Sequence, residues 1–157
     1  MNSFFHDLSL FSQNYLLQSL CETNRKQHTQ PAQLCGKEQQ MIQQAITKLS
    51  ENILNRYSHE QEITVKAESL IVVMDAREVC NTEKQLQQAL TLAEQLLPQM
   101  PASPLKCKLL SYCYYYVEEP ECANEASRII ENWDKTQYTA EMQEAVQCYQ
   151  NLTSFLT

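Results

Sequence analysis

A chain of 157 residues, 43% of them hydrophobic, is long enough for one domain with its own core and too apolar to be disordered by composition. Its net charge of −7, from nineteen acidic against twelve basic side chains, leaves no basic face for a phosphate backbone and excludes general, direct nucleic-acid binding. A single glycine, Gly36, excludes Walker and GxGxxG phosphate loops and leaves tight strand turns unserved, so the expected class is all-α: about seven helices in one domain, as an antiparallel bundle or an array of helical hairpins.

In chain order, the first helix is expected over roughly residues 3–20. Phe4, Leu8, Phe11 and Tyr15 recur at three- and four-residue spacing, beside Leu16, Leu17 and Leu20, and predict an amphipathic stripe. The polar segment Glu22 to Gln33, with Pro31, reads as a loop. A second helix, 37–57, carries Met41, Ile42, Ala45, Ile46, Leu49 and Ile53 on one broad face. A third, 59–80, opens on Ser58 with Gln61 three residues on, the spacing of a capping box. Its apolar run Leu70–Met74 (LIVVM) has no turn residues on either flank, so a helix buried on most of its surface, at the centre of the domain, explains it better than a strand.

The fourth helix, 83–97, opens on a second capping-box spacing, Thr82 with Gln85. Leu86, Leu90, Ala93 and Leu97 follow, and Pro98 ends it because proline cannot continue the ladder. The fifth, 104–117, has Ser103 as cap and Pro104 at the first helical position, where a missing N–H costs nothing. The sixth, 120–133, begins at Pro120 behind Glu118 and Glu119, acids that suit a helix N-terminus. Its stripe is Cys122, Ala126, Ile129, Ile130 and Trp133. The seventh, 140–155, starts from Thr139 and runs through Met142, Val146, Tyr149 and Leu152 or Thr153, with Phe155 and Leu156 at its end. Helices four and six start about 37 residues apart, close to a helical-hairpin period. Aligning Ala126 with the small residue of a tetratricopeptide helix puts Tyr114 where a glycine belongs, so that family is not assigned.

No residue set for chemistry stands out. Seven cysteines, at 21, 35, 80, 107, 113, 122 and 148, form no CxxC pair, and Cys107, Cys113 and Cys122 are too widely spaced for a structural zinc site. The N-terminus, MNSFFHDLSLF, has no basic n-region and no long apolar h-region, so no signal peptide is evident. The expectation is a cytoplasmic protein whose thiols are free, small packing residues. No apolar run reaches the ~20 residues of a membrane span. His6, His28 and His59 show no metal-ligand spacing: His28 and His59 read as solvated and His6 as a packing residue. The carboxylates Glu60, Glu62, Glu118, Glu119 and Asp134 read as caps and dipole partners. No catalytic residue, metal or cofactor is expected.

What remains is a tyrosine cluster. At 100° per residue, Leu105, Leu109, Tyr112, Cys113 and Tyr116 share one side of the fifth helix, and Tyr112 and Tyr116 are most simply core. Tyr114 and Tyr115 fall toward the other, with Lys108, Ser111 and Glu118. Tyrosines beside charges have the composition of an interface interior, and burial beneath another helix is the alternative. The expected partner-binding set is Lys108, Tyr114, Tyr115, Glu118 and Glu119.

The segment PASPLKCKLLSYCYYYVEEPECANEASRIIENW, followed by YTAEMQEAVQCYQNL, resembles the UpxZ family of transcription antitermination antagonists. The residues that carry the resemblance are Pro101-Ala102-Ser103, Leu105-Lys106-Cys107, Leu109-Leu110, Tyr112-Cys113-Tyr114, Glu125-Ala126, Ile129-Ile130 and Trp133. They cover about the last third of the chain, and the first four helices agree in general character. The resemblance implies a small cytoplasmic regulator from Bacteroides-type capsular polysaccharide loci. It would restrain UpxY-type, NusG-like antitermination factors by protein–protein binding and so limit expression of other capsule operons. Without the resemblance, the residues alone also fit a helical-repeat-like adaptor with an unrelated protein partner.

Overall fold

The structure is a computed structural model that describes residues 8–27 and 36–154. The expectations for Phe4, His6, His28, Pro31, Cys35, Phe155 and Leu156 lie outside the described residues. The described residues form seven α-helices and two short 3₁₀ turns, with no strand. The helices are α1 (Leu10–Gln27), α2 (Gly36–Tyr57), α3 (Ile63–Ala76), α4 (Glu83–Leu96), α5 (Pro104–Val117), α6 (Pro120–Glu131) and α7 (Ala140–Thr153). The class is all-α, as the composition implies. The chain divides into two compact units, Met1–Thr91 and Leu92–Thr157, and the division falls inside α4.

In the first unit α1 packs on both α2 and α3, and α2 packs on α3. The run Leu70–Met74 is helical: Leu70, Val73 and Met74 are fully buried, which accounts for its unbroken apolarity. On α2 only the C-terminal half is buried, through Ile46, Leu49, Ile53, Leu54 and Tyr57, whereas Met41 is exposed.

Helix α1 departs from expectation at both ends and in its face. It begins at Leu10, where the Ser9 hydroxyl accepts from the Ser12 N–H at 3.1 Å, a cap that the apolar stripe concealed. It runs on through Glu22 to Gln27, because Arg25 and Lys26 stand in its last turn, where cations suit the helix dipole. Phe11 and Tyr15 of the expected stripe are exposed, Leu17 is buried as expected, and Leu10 and Cys21 are buried with it.

Neither expected capping box forms. Ser58 and His59 belong to a turn, and the Glu60 carboxylate accepts from the N–H groups of Gln61 and Glu62 at 3.1 and 3.0 Å. Helix α3 therefore starts at Ile63, and it ends at Ala76. Thr82 is buried and its Oγ1 has no hydrogen-bond partner among the described residues, while Gln85 reaches across to donate to Glu51 on α2. The buried stripe of α4 is Leu86, Ala89, Ala93 and Leu96, with Leu90 and Leu97 only half-buried. Steps of four residues drift about 40° each on a 3.6-residue helix, so the core follows steps of three and four.

The second unit is built around α5, with α6 and α7 both packed on it. Its cluster of buried residues is Cys107, Leu110, Ala126, Ile129 and Ala145, and Leu97, Cys122, Ile130, Trp133 and Tyr149 pack against it partly buried. Ala126 and Ala145 are fully buried, so α6 and α7 approach α5 through small side chains. The helix starts here match the sequence. Ser103 Oγ accepts from the Lys106 N–H at 3.1 Å with Pro104 behind it. Thr139 Oγ1 accepts from the Met142 N–H at 3.2 Å, and the Met142 sulfur accepts from the Thr139 N–H at 3.5 Å. Replacing Ser103 with alanine removes one cap bond and is expected to lower stability by about 1 kcal/mol, read as a reduced urea midpoint with unchanged slope; an unchanged midpoint means the cap contributes nothing.

Candidate interaction surface at the α5–α6 corner

Helix α5 turns no face wholly to solvent: from Ser103 to Tyr116 every residue is buried or half-buried. Two lysines fasten its neighbours. Lys106 Nζ lies 2.9 Å from Glu125 on α6 and donates to the Met100 carbonyl at 3.3 Å. Lys108 Nζ lies 2.9 Å from Glu144 on α7. Both lysine side chains are more shielded than their carboxylate partners, at 12% and 25% exposure against 39% and 67%. They act as helix clamps, so Lys108 is engaged within the unit.

Burial changes the tyrosine assignment. Tyr114, which helical phase turns away from the core side, is 8% exposed, so of the two readings burial beneath a neighbour holds for it, and Ser111 beside it is fully buried. The reason is that both sides of α5 are covered, so helical phase does not sort its residues into inner and outer. Tyr112, expected in the core, is half-buried, and so are Tyr115 and Tyr116. The rings of Tyr115 and Tyr116 meet edge to face at 4.9 Å.

Exposure begins abruptly at the end of α5. Val117, Glu118, Glu119, Pro120 and Glu121 are exposed in succession. Glu118 closes α5 in the left-handed region, at φ 60° and ψ 28°, with its N–H donating to the Tyr114 carbonyl at 2.7 Å. It is the one described non-glycine residue with positive φ, in a position where glycine is usual and any other residue costs about 1 kcal/mol. Glu119 is the N-cap of α6 yet its side chain makes no cap bond, so its carboxylate is not spent on the helix start. Glu121 reaches only 4.0 Å from Arg128, with both side chains well exposed. The turn thus holds three carboxylates and one valine outward. Glu118 and Glu119 belong to the set expected from the sequence; Val117 and Glu121 do not, and their only signal there is adjacency to the helix break.

The setting reinforces the sign of this corner. Leu92–Thr157 contains nine acidic and four basic side chains, and Lys106, Lys108 and Arg128 are all turned toward carboxylates of the same unit. Such a surface attracts basic partners and repels phosphate backbones.

Three of the described thiols are packing groups. Cys21, Cys107 and Cys113 are buried, and desolvation pushes each thiol up to about 12. Burial also raises Cys80 and Cys122. Protonated thiols neither attack nor ligate readily. No group of three or more His, Cys, Asp or Glu side chains is placed to hold a metal among the described residues, and none of their helices is long and apolar enough to cross a membrane. His59 is exposed.

No family model and no curated protein matches the chain. Its fold is similar to the crystal structure of a transcription anti-terminator antagonist, UpxZ, from Bacteroides uniformis ATCC 8492, with a TM-score of 0.62 and 22% identity over 96% of each chain. The likeness establishes a UpxZ-like fold.

The two central tyrosines differ in a way that single substitutions read out. Tyr114→Ala is expected to cost about 3 kcal/mol, the scale for a buried ring. Tyr115→Ala is expected to cost about 1 kcal/mol, the scale of an edge-to-face contact. Equal losses in chemical denaturation would contradict the burial difference.

Proposed function

We propose that this protein antagonises a transcription antitermination factor by binding it, and that the factor is of the NusG-like, UpxY type. The observation that carries the reading is the UpxZ-like fold over 96% of the chain, joined to the motif run from Pro101 to Trp133 that resembles the same family. The physical character of the second unit supports it: acidic, helical, with Lys106 and Lys108 committed to internal carboxylates. On this reading no chemical step is performed. The protein works in the cytoplasm and occupies a surface that the factor needs for RNA polymerase or nascent RNA. Its production from one capsular polysaccharide locus lowers read-through at others.

The contact surface includes the α5–α6 corner. Glu118, Glu119 and Glu121 supply charge complementary to a basic patch, Val117 supplies an apolar point beside them, and half-buried Tyr115 stands one turn behind. Tyr114 and Lys108 support this surface from within: one is packed beneath it and the other clamps α7.

Charge reversal separates the surface from the scaffold. The double variant Glu118→Lys with Glu119→Lys is expected to bind a purified UpxY-type factor about tenfold more weakly at low salt, with the gap narrowing as salt rises. Its thermal midpoint is expected to stay near that of the parent chain. Calorimetric titration against a panel of such factors checks this. Unchanged affinity removes the corner from the interface, and a parent chain that binds none of the panel removes the proposed partner class.

A further inference from the structure

Helix α1 packs through a mixed face and leaves its aromatic residues outside. Three of its buried side chains are amides, Gln13, Asn14 and Asn24, equal in number to its buried apolar residues Leu10, Leu17 and Cys21. Its two aromatic residues, Phe11 and Tyr15, lie one turn apart and are 63% and 69% exposed. Its partners are more apolar inside: α2 buries five apolar side chains beside Ser50 and Asn52, and α3 buries six beside Ser69. A helix whose two aromatic residues face water, and half of whose buried side chains are amides, departs from the pattern that holds a packed helix in place.

The buried amides themselves gain little from their contacts. Asn14 donates to the Val65 carbonyl at 3.5 Å and Asn24 to the Val79 carbonyl at 3.3 Å, both longer than the usual N–H···O distance of about 2.9–3.0 Å. Gln13 donates to the Leu8 carbonyl at 3.1 Å, within its own segment. The acceptor oxygens of Gln13 and Asn14 have no protein partner among the described residues, so both groups gain hydrogen bonds when water reaches them. The ion pair of Arg25 with Asp75 at 2.8 Å is partly exposed, the kind that contributes little.

We infer that α1 is a releasable helix: it undocks from α2 and α3 as a unit in the native state, at lower free energy than global unfolding, and uncovers the apolar surface those two helices hold beneath it. The device depends on the amide seam within the first unit and is independent of the partner proposed above. It makes the α1 site a conditional surface, closed when α1 is docked and apolar when it is not.

Native-state hydrogen exchange of the full chain, followed by mass spectrometry, tests this. Backbone amides of α1 are expected to exchange at least about tenfold faster than those of α3 and of α2 from Ile46 onward. Asn14→Leu replaces an amide of the seam with an apolar side chain and is expected to slow α1 exchange severalfold while leaving α3 unchanged. Exchange of α1 at the rate of α3 in the parent chain overturns the proposal, whether or not the variant folds. So does a folded Asn14→Leu chain whose α1 exchanges as fast as the parent.

Discussion

The second unit depends on the enclosure of α5. A helix in contact with solvent on one side can be held by an apolar stripe, but α5 has no such side between Ser103 and Tyr116. Its residues must therefore suit close packing all round, and the sequence answers with small and thin side chains. Cys107, Ser111 and Cys113 alternate with leucines and tyrosines, and fully buried Ala126 and Ala145 stand on the facing helices. Interiors packed to crystal density tolerate little change in volume at such contacts. The two lysines that cannot avoid this helix lay their stems along it and give their charges to Glu125 and Glu144. The serine at 111 donates back to the Cys107 carbonyl at 2.8 Å, which removes the cost of a buried hydroxyl.

Enclosure also explains where the unit meets the outside. Once α5 is covered along its length, its C-terminal corner is the first place where its side chains emerge, and there the chain turns in two residues. A left-handed Glu118 rather than a glycine holds this turn, so a carboxylate stands at the point of sharpest curvature. Glu119 leaves its own cap unmade. Two local rules are set aside within two residues, and consistency across levels usually fails where a protein has another use for the residues. The proposed partner contact gives both departures one cause.

The sequence made the fold class legible because its evidence was chemical and local. Ser103 with Pro104, Pro120, and Thr139 each mark a helix start through a side chain or ring that acts within one turn. The LIVVM run was legible for the same reason, since no turn residue interrupts it. The failures are all tertiary. Ser58 and Thr82 have the right spacing for caps, but Glu60 takes the amides at one start and Gln85 is drawn to Glu51 at the other. On α1 two stripes were available, and the aromatic one lost to one whose amides reach the carbonyls of Val65 and Val79. Tyr114 was misplaced because phase distinguishes sides only when one side is open. Of the expected interface, the two glutamates emerge at the surface, Tyr115 is partly accessible, and Tyr114 and Lys108 lie behind it.

The most direct measurement of the central claim, that this chain acts by capturing an antitermination factor, is terminator read-through in a purified transcription system. RNA polymerase transcribes a template with and without a UpxY-type factor while this protein is titrated in. Read-through produced by the factor is expected to fall with added protein, factor-independent transcription to stay untouched, and excess factor to restore read-through. Read-through that persists at saturating protein, or transcription that falls equally when the factor is absent, would contradict the claim.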